Sequence, residues 1–136
     1  MTLFHLAFNV TDLDETRAFY GGLLGCTEGR STDTWVDFNF FGHQISCHLG
    51  TPFDSKPTGK VGDVDVPMPH FGAVLPMADW RALADRLTAA GTTFVLAPQI
   101  RFEGQPGEQA TMFFTDPSGN PVEIKGMADF NAAFAT

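Results

Sequence analysis

The chain has 136 residues, 43% of them hydrophobic and 18% charged, and its eight Lys and Arg against sixteen Asp and Glu leave a formal charge of −8. Such a chain forms one domain or two small modules sharing a core, without disordered or fibrous bias. The acidic balance speaks against nucleic acid or an anionic membrane as partner, because both select basic surfaces, and no apolar run approaches the roughly 20 residues that span a bilayer. Cys26 and Cys47 make neither a CxxC pair nor a disulfide framework, and the first residues lack a signal-peptide pattern. We therefore expect free thiols in a cytoplasmic protein.

In chain order, "LFHLAFNV" reads as an apolar strand that contains His5. Asp12 followed by Glu15 then gives a capping pattern for a helix whose apolar face carries Leu13, Phe19, Tyr20, Leu23 and Leu24, with Gly25 as its stop. "STDTWVDFNFF" alternates as a strand, and "GHQISCHLG" continues after a turn at Gly42. The stretch "GTPFDSKPTGKVGDVDVPMP" is rich in Gly, Pro and Asp and reads as a linker. "MPHFGAVL" then places His70 in a second apolar strand, followed by a helix with Trp80, Leu83, Leu87 and Ala90 on one stripe and a stop at Gly91. "TTFVLAPQI", "QATMFFT" and "NPVEIKG" are three further strands, the last two joined by the turn signal "DPSGN".

Laying His5 on His70 superposes the two halves, each in the order strand, helix, strand, strand, strand. The expected fold is α+β: two paired βαβββ modules, at about residues 3–50 and 68–126, whose curved mixed β-sheet lines a cavity. Residues 50–67 are the linker and 127–136 a C-terminal tail. Neither module buries both sheet faces alone, so equivalent strand positions face the shared cavity and His5 approaches His70 across it.

Glu123 lies between Val122 and Ile124. It either points to solvent on an alternating strand or turns inward, where an unpaired carboxylate would be costly. With two inward histidines it completes a set of two imidazoles and one carboxylate, which suits a divalent metal with open coordination positions and is typical of non-haem Fe(II). His5, His70 and Glu123 are thus the metal-ligand candidates, with Fe(II) first and Mn, Zn or Ni as alternatives.

"FHLAFNVTDLDETRAFYGGLLG", "PHFGAVL" and "FFTDPSGNPVEIKG" together resemble the vicinal oxygen chelate superfamily, which holds glyoxalase I, extradiol dioxygenases, fosfomycin-resistance enzymes and bleomycin-binding proteins. The resemblance implies paired βαβββ modules over about residues 3–126, the same three metal ligands, and a small substrate chelated through vicinal oxygens. Small extradiol-type dioxygenases are the most similar members, and a homodimer is expected.

Departures from the family pattern shape the rest. The fourth ligand of glyoxalase-like members would stand at Ser46, which carries no carboxylate. His48, two residues on, is either a surface histidine or the acid–base group that extradiol enzymes keep nearby. The tyrosine of the extradiol signature is Phe113 here. Trp35 and Asp37 share a strand face that the family's layout turns to the substrate, although Trp35 equally suits core packing. Arg101 either pins a substrate carboxylate or phenolate or is simply solvated, and with Lys125 it is the cationic side of the expected pocket. The activities in view are extradiol-type dioxygenation first, then glyoxalase-like lyase or isomerase chemistry or thiol transfer, and last a non-catalytic binding role.

Overall fold

The computed structural model describes residues 1–135. They form two compact units: Met1–Ser55 with Asp116–Asn120, and Lys56–Thr115 with the chain from Pro121 onward.

In the first unit, β1 (His5–Val10) leads into a short helix α1 (Leu13–Thr16) that widens into a π-helical segment, Arg17–Leu23. Asp12 caps the start by accepting from Glu15 N at 2.8 Å. The wide turn is visible in the Leu24 N–H donating five residues back to Phe19 O at 2.9 Å. Gly25 then ends the helix at φ 74°, as the sequence predicts. Strands β2 (Thr27–Ser31), β3 (Trp35–Phe40) and β4 (His43–Leu49) complete a sheet of order β1-β4-β3-β2, with β1 and β4 parallel.

The two-residue period of the strands sorts this sheet. Phe8, Val10, Val36, Phe38, Phe40, Ile45 and Cys47 are buried on the helix side. The fully buried Tyr20 ring stands edge-on to Phe19 at 4.9 Å. Its hydroxyl donates to Asp116 Oδ2 at 2.8 Å. Asp116 Oδ1 in turn accepts the backbone N–H of Ser118 and Asn120, and Asn120 Nδ2 reaches Asn9 O at 3.0 Å. The family-like turn "DPSGN" is therefore a structural clamp on the first unit.

Cys26 and Cys47 are buried free thiols in this core. Burial pushes Cys26 up to about 11 and raises Cys47 as well. At pH 8 a thiol at 11 is about one part in a thousand thiolate. Both should thus resist a thiol reagent such as dithionitrobenzoate in the folded protein and react once denaturant is added. Fast reaction of either in native buffer would contradict this packing.

The second unit opens with an antiparallel hairpin, β5 (Lys56–Val61) and β6 (Val64–Met68). This corrects the expected linker. The Gly and Pro density hid a tight Gly62–Asp63 turn, with Gly62 at φ 58°, between two valine-bearing arms. Val61, Val64 and Val66 of the hairpin pack with Leu96 and Phe113, so the segment buries apolar surface rather than simply bridging two modules. Then follow β7 (Phe71–Pro76), α2 (Met77–Ala89), β8 (Leu96–Arg101), β9 (Gln109–Thr115) and β10 (Pro121–Met127) in a sheet of order β7-β10-β9-β8. α2 buries Met77, Trp80, Leu83, Ala84 and Leu87, and Trp80 Nε1 donates to Ile124 O at 2.9 Å. The expected tail holds a short, exposed 3-10 turn, Phe130–Phe134.

Each unit thus contains a βαβββ module with the same strand order, as expected, and the second adds the β5–β6 hairpin. The registers confirm the repeat: Ala7, two residues after His5, pairs with Ser46, while Gly72, two residues after His70, pairs with Glu123. Among the described residues no helix is long and apolar enough to cross a membrane.

Candidate metal centre

His70 stands one residue before β7, at the end of the hairpin, with its side chain half-buried. Its Nδ1 lies 2.7 Å from Pro67 O, a carbonyl that can only accept, so Nδ1 carries a proton. In a neutral ring that leaves a lone pair on Nε2, which faces Glu123 Oε1 at 3.1 Å. Two acceptors face each other there, and only a positive centre makes the contact favourable: a second ring proton between them, or a cation that bonds both from the side. The other carboxylate oxygen, Oε2, accepts from Thr111 Oγ1 at 2.6 Å. Phe113 holds the imidazole edge-on at 4.8 Å. A ligating histidine anchored through Nδ1 and a carboxylate anchored through one oxygen are the usual supports of a metal pair. The pair supplies one imidazole nitrogen and one carboxylate oxygen of the donor types expected from the sequence.

Beside this pair runs a cleft of about 150 Å³ lined by Glu123, Thr111, Arg101, Lys125, Gln99, Gln109, Ala110 and Val61. Arg101 is exposed, with its guanidinium 5.8 Å from the Phe102 ring centre.

In the first unit His5 begins β1 and is exposed, not buried in its strand. Its Nδ1 lies 2.8 Å from Gln44 Oε1. Gln44 Nε2 donates to Asp37 Oδ2 at 3.4 Å, and Ser46 Oγ donates to Asp37 Oδ1 at 2.5 Å. Asp37, expected to meet substrate, is instead buried and committed to its neighbours on β4.

His48 lies near the far end of β4. It shares the face of Gln44 and Ser46, but four residues of strand at about 3.3 Å each put its backbone roughly 13 Å from that of Gln44, His5's partner. Its ring stacks on Trp35 at 6.0 Å and 29°, which makes Trp35 half packing residue, half surface. Phe113 is likewise corrected. It has no exposed surface and packs in the hairpin cluster, so it supports His70 rather than touching substrate.

The structure brings His70 and Glu123 together, while His5 belongs to the other unit. Among the described residues no three of His, Cys, Asp and Glu gather as a metal-holding group. Sequence reasoning missed Thr111, Gln44 and the Pro67 carbonyl. Thr111 was reachable by period, since it lies two residues before Phe113 on the same face.

A pair of βαβββ modules, one of them carrying a buttressed His–Glu pair where the chain enters edge strand β7 beside β10, is the architecture of a vicinal-oxygen-chelate-type protein. The sequence matches the Glyoxalase/Bleomycin resistance protein/Dioxygenase superfamily across residues 2–124, and the chain belongs to that superfamily. Among solved structures it is similar to a glyoxalase/bleomycin resistance protein/dioxygenase from Alicyclobacillus acidocaldarius, at 33% identity and TM-score 0.73, over 96% of this chain and 94% of that one. The fosfomycin resistance proteins FosX of Listeria monocytogenes (19% identity, TM-score 0.64, 93% of each chain) and Mesorhizobium loti (17%, 0.66, 98% of each) share the fold.

Proposed function

We propose that this chain is a divalent-metal enzyme acting on a small substrate with two vicinal oxygens, with His5, His70 and Glu123 as the metal ligands. The observation that carries this reading is the contact of His70 Nε2 with Glu123 Oε1 at 3.1 Å, the spacing of two adjacent ligands that each bond one cation at about 2.1 Å. Two imidazoles and a carboxylate suit Fe(II) first, then Mn, Zn and Ni. A metal there would polarise substrate oxygens or activate dioxygen.

The chain's own residues bind and orient. Pro67 O and Thr111 Oγ1 fix His70 and Glu123. Arg101 and Lys125 put two positive charges on the cleft beside Glu123, which suits an anionic group on the substrate. β1 and β7 each stand at the edge of their sheet, and we assign those edges to assembly of a homodimer.

Extradiol-type ring cleavage is the reaction the ligand set suits. A second reading, lyase chemistry or thiol transfer on an anionic electrophile, is favoured by Arg101 and Lys125 together with the burial of Phe113. Oxygen uptake by the iron-loaded protein over a panel of catechols and catechol carboxylates separates them. Uptake with a ring-opened product supports the first. No uptake, with turnover of an epoxide bearing a carboxylate or phosphonate, moves the assignment to the second. Turnover of neither class would sink the proposal.

A further inference from the structure

We infer that Asp37 and Gln44 are positioning residues that set the tautomer of His5, so that its Nε2 is offered as a lone-pair ligand; the inference rests on His5 being one of the metal ligands proposed above. Gln44 sits opposite His5 in the β1–β4 ladder, and Asp37 sits opposite Ser46 in the β3–β4 ladder. All four side chains therefore rise from one face of the first sheet.

A carboxamide has a donating end and an accepting end, and either could meet an imidazole nitrogen. Asp37 breaks that symmetry. Its carboxylate only accepts, and its Oδ1 is held by Ser46 Oγ, so Oδ2 takes the amide N–H of Gln44 at 3.4 Å. Gln44 Oε1 is thereby turned to His5 Nδ1 at 2.8 Å. An amide oxygen cannot donate, so the ring proton sits on Nδ1 and Nε2 keeps its lone pair. Remove the carboxylate and the amide is free to rotate. Its NH2 would then face Nδ1, the ring proton would move to Nε2, and that nitrogen could no longer bind a metal. At Ser46, equivalent to Glu123 by register, the first module lacks a carboxylate. Asp37 brings one to the same place from the neighbouring strand and spends it on orienting a ligand.

The experiment reads the tautomer in the metal-free protein by 15N correlation spectra of the histidine side chains, and Mn(II) affinity by calorimetry. Wild-type His5 should show the Nδ1–H form. Asp37→Asn should move it toward Nε2–H and weaken Mn(II) binding 10- to 100-fold, the usual loss for a residue that orients a ligand. The double variant Asp37→Asn with Gln44→Glu should restore both readings, because a carboxylate at position 44 accepts without guidance. Should Asp37→Asn fail to fold, Gln44→Leu, at a half-buried position, removes the same acceptor. An unchanged Nδ1–H form in Asp37→Asn and Gln44→Leu, or a double variant that restores nothing, would overturn the relay. A tautomer that moves and returns as described while Mn(II) affinity stays constant would uphold the relay and remove His5 from the ligand set.

Discussion

Replacing Gly72 by Ala should destabilise the protein by about 3 kcal/mol, lowering Tm by about 10 °C in a thermal melt, and should weaken divalent-metal binding at the same time. A Cβ on Gly72 would collide with the main-chain carbonyl of Glu123, its parallel partner on β10. Backbone cannot rotate away as a flexible side chain does. β7 must shift or the ladder must open, and the displaced residues are the ones that hold His70 and Glu123 in place. The equivalent position in the first module is Ala7, which carries a Cβ without this conflict. Ala7→Gly should therefore cost well under half as much, about 1 kcal/mol or less. Equal losses at the two positions would show that the close approach at Gly72 is not what matters.

His70→Ala should abolish divalent-metal binding, a loss beyond about 100-fold in calorimetry, because removing a ligand exceeds the 10- to 100-fold seen for residues that only orient one. The fold should survive with about 1 kcal/mol lost. His70 is half-buried and makes two polar contacts, with Pro67 O and Glu123 Oε1, while Phe113 stays packed by Val66 and Leu96. Full metal occupancy in a folded His70→Ala protein would remove this residue from the site.

The repeat was legible because it rests on long-period features, an apolar strand with one histidine, a capped helix and a glycine stop, each occurring twice. The pairing of Ala7 with Ser46 and of Gly72 with Glu123 gives that alignment its physical form. Short-period features were harder to read. β2 (Thr27–Ser31) is exposed along its whole length, so no hydrophobic alternation marks it. The β5–β6 hairpin is encoded by a Gly–Asp turn amid residues that also build irregular chain. Strand period predicts which face a side chain takes, and it placed His48 on the same face as Ser46, but period alone carries no distance along the strand. Asp37 and Phe113 were placed correctly on β3 and β9. Their roles could not be read because both depend on neighbours from other strands: Ser46 and Gln44 for one, the hairpin valines for the other. Arg101 lines the cleft with Glu123.

The most direct test is anomalous diffraction at the metal edge from crystals grown with one equivalent of Fe(II), under anaerobic conditions, or of Mn(II). A single peak per chain, within bonding distance of His70 Nε2 and Glu123 Oε1 and completed by a His5 Nε2, is the predicted result. A peak elsewhere, or none despite bound metal in solution, would contradict the assignment of this pair as the metal centre.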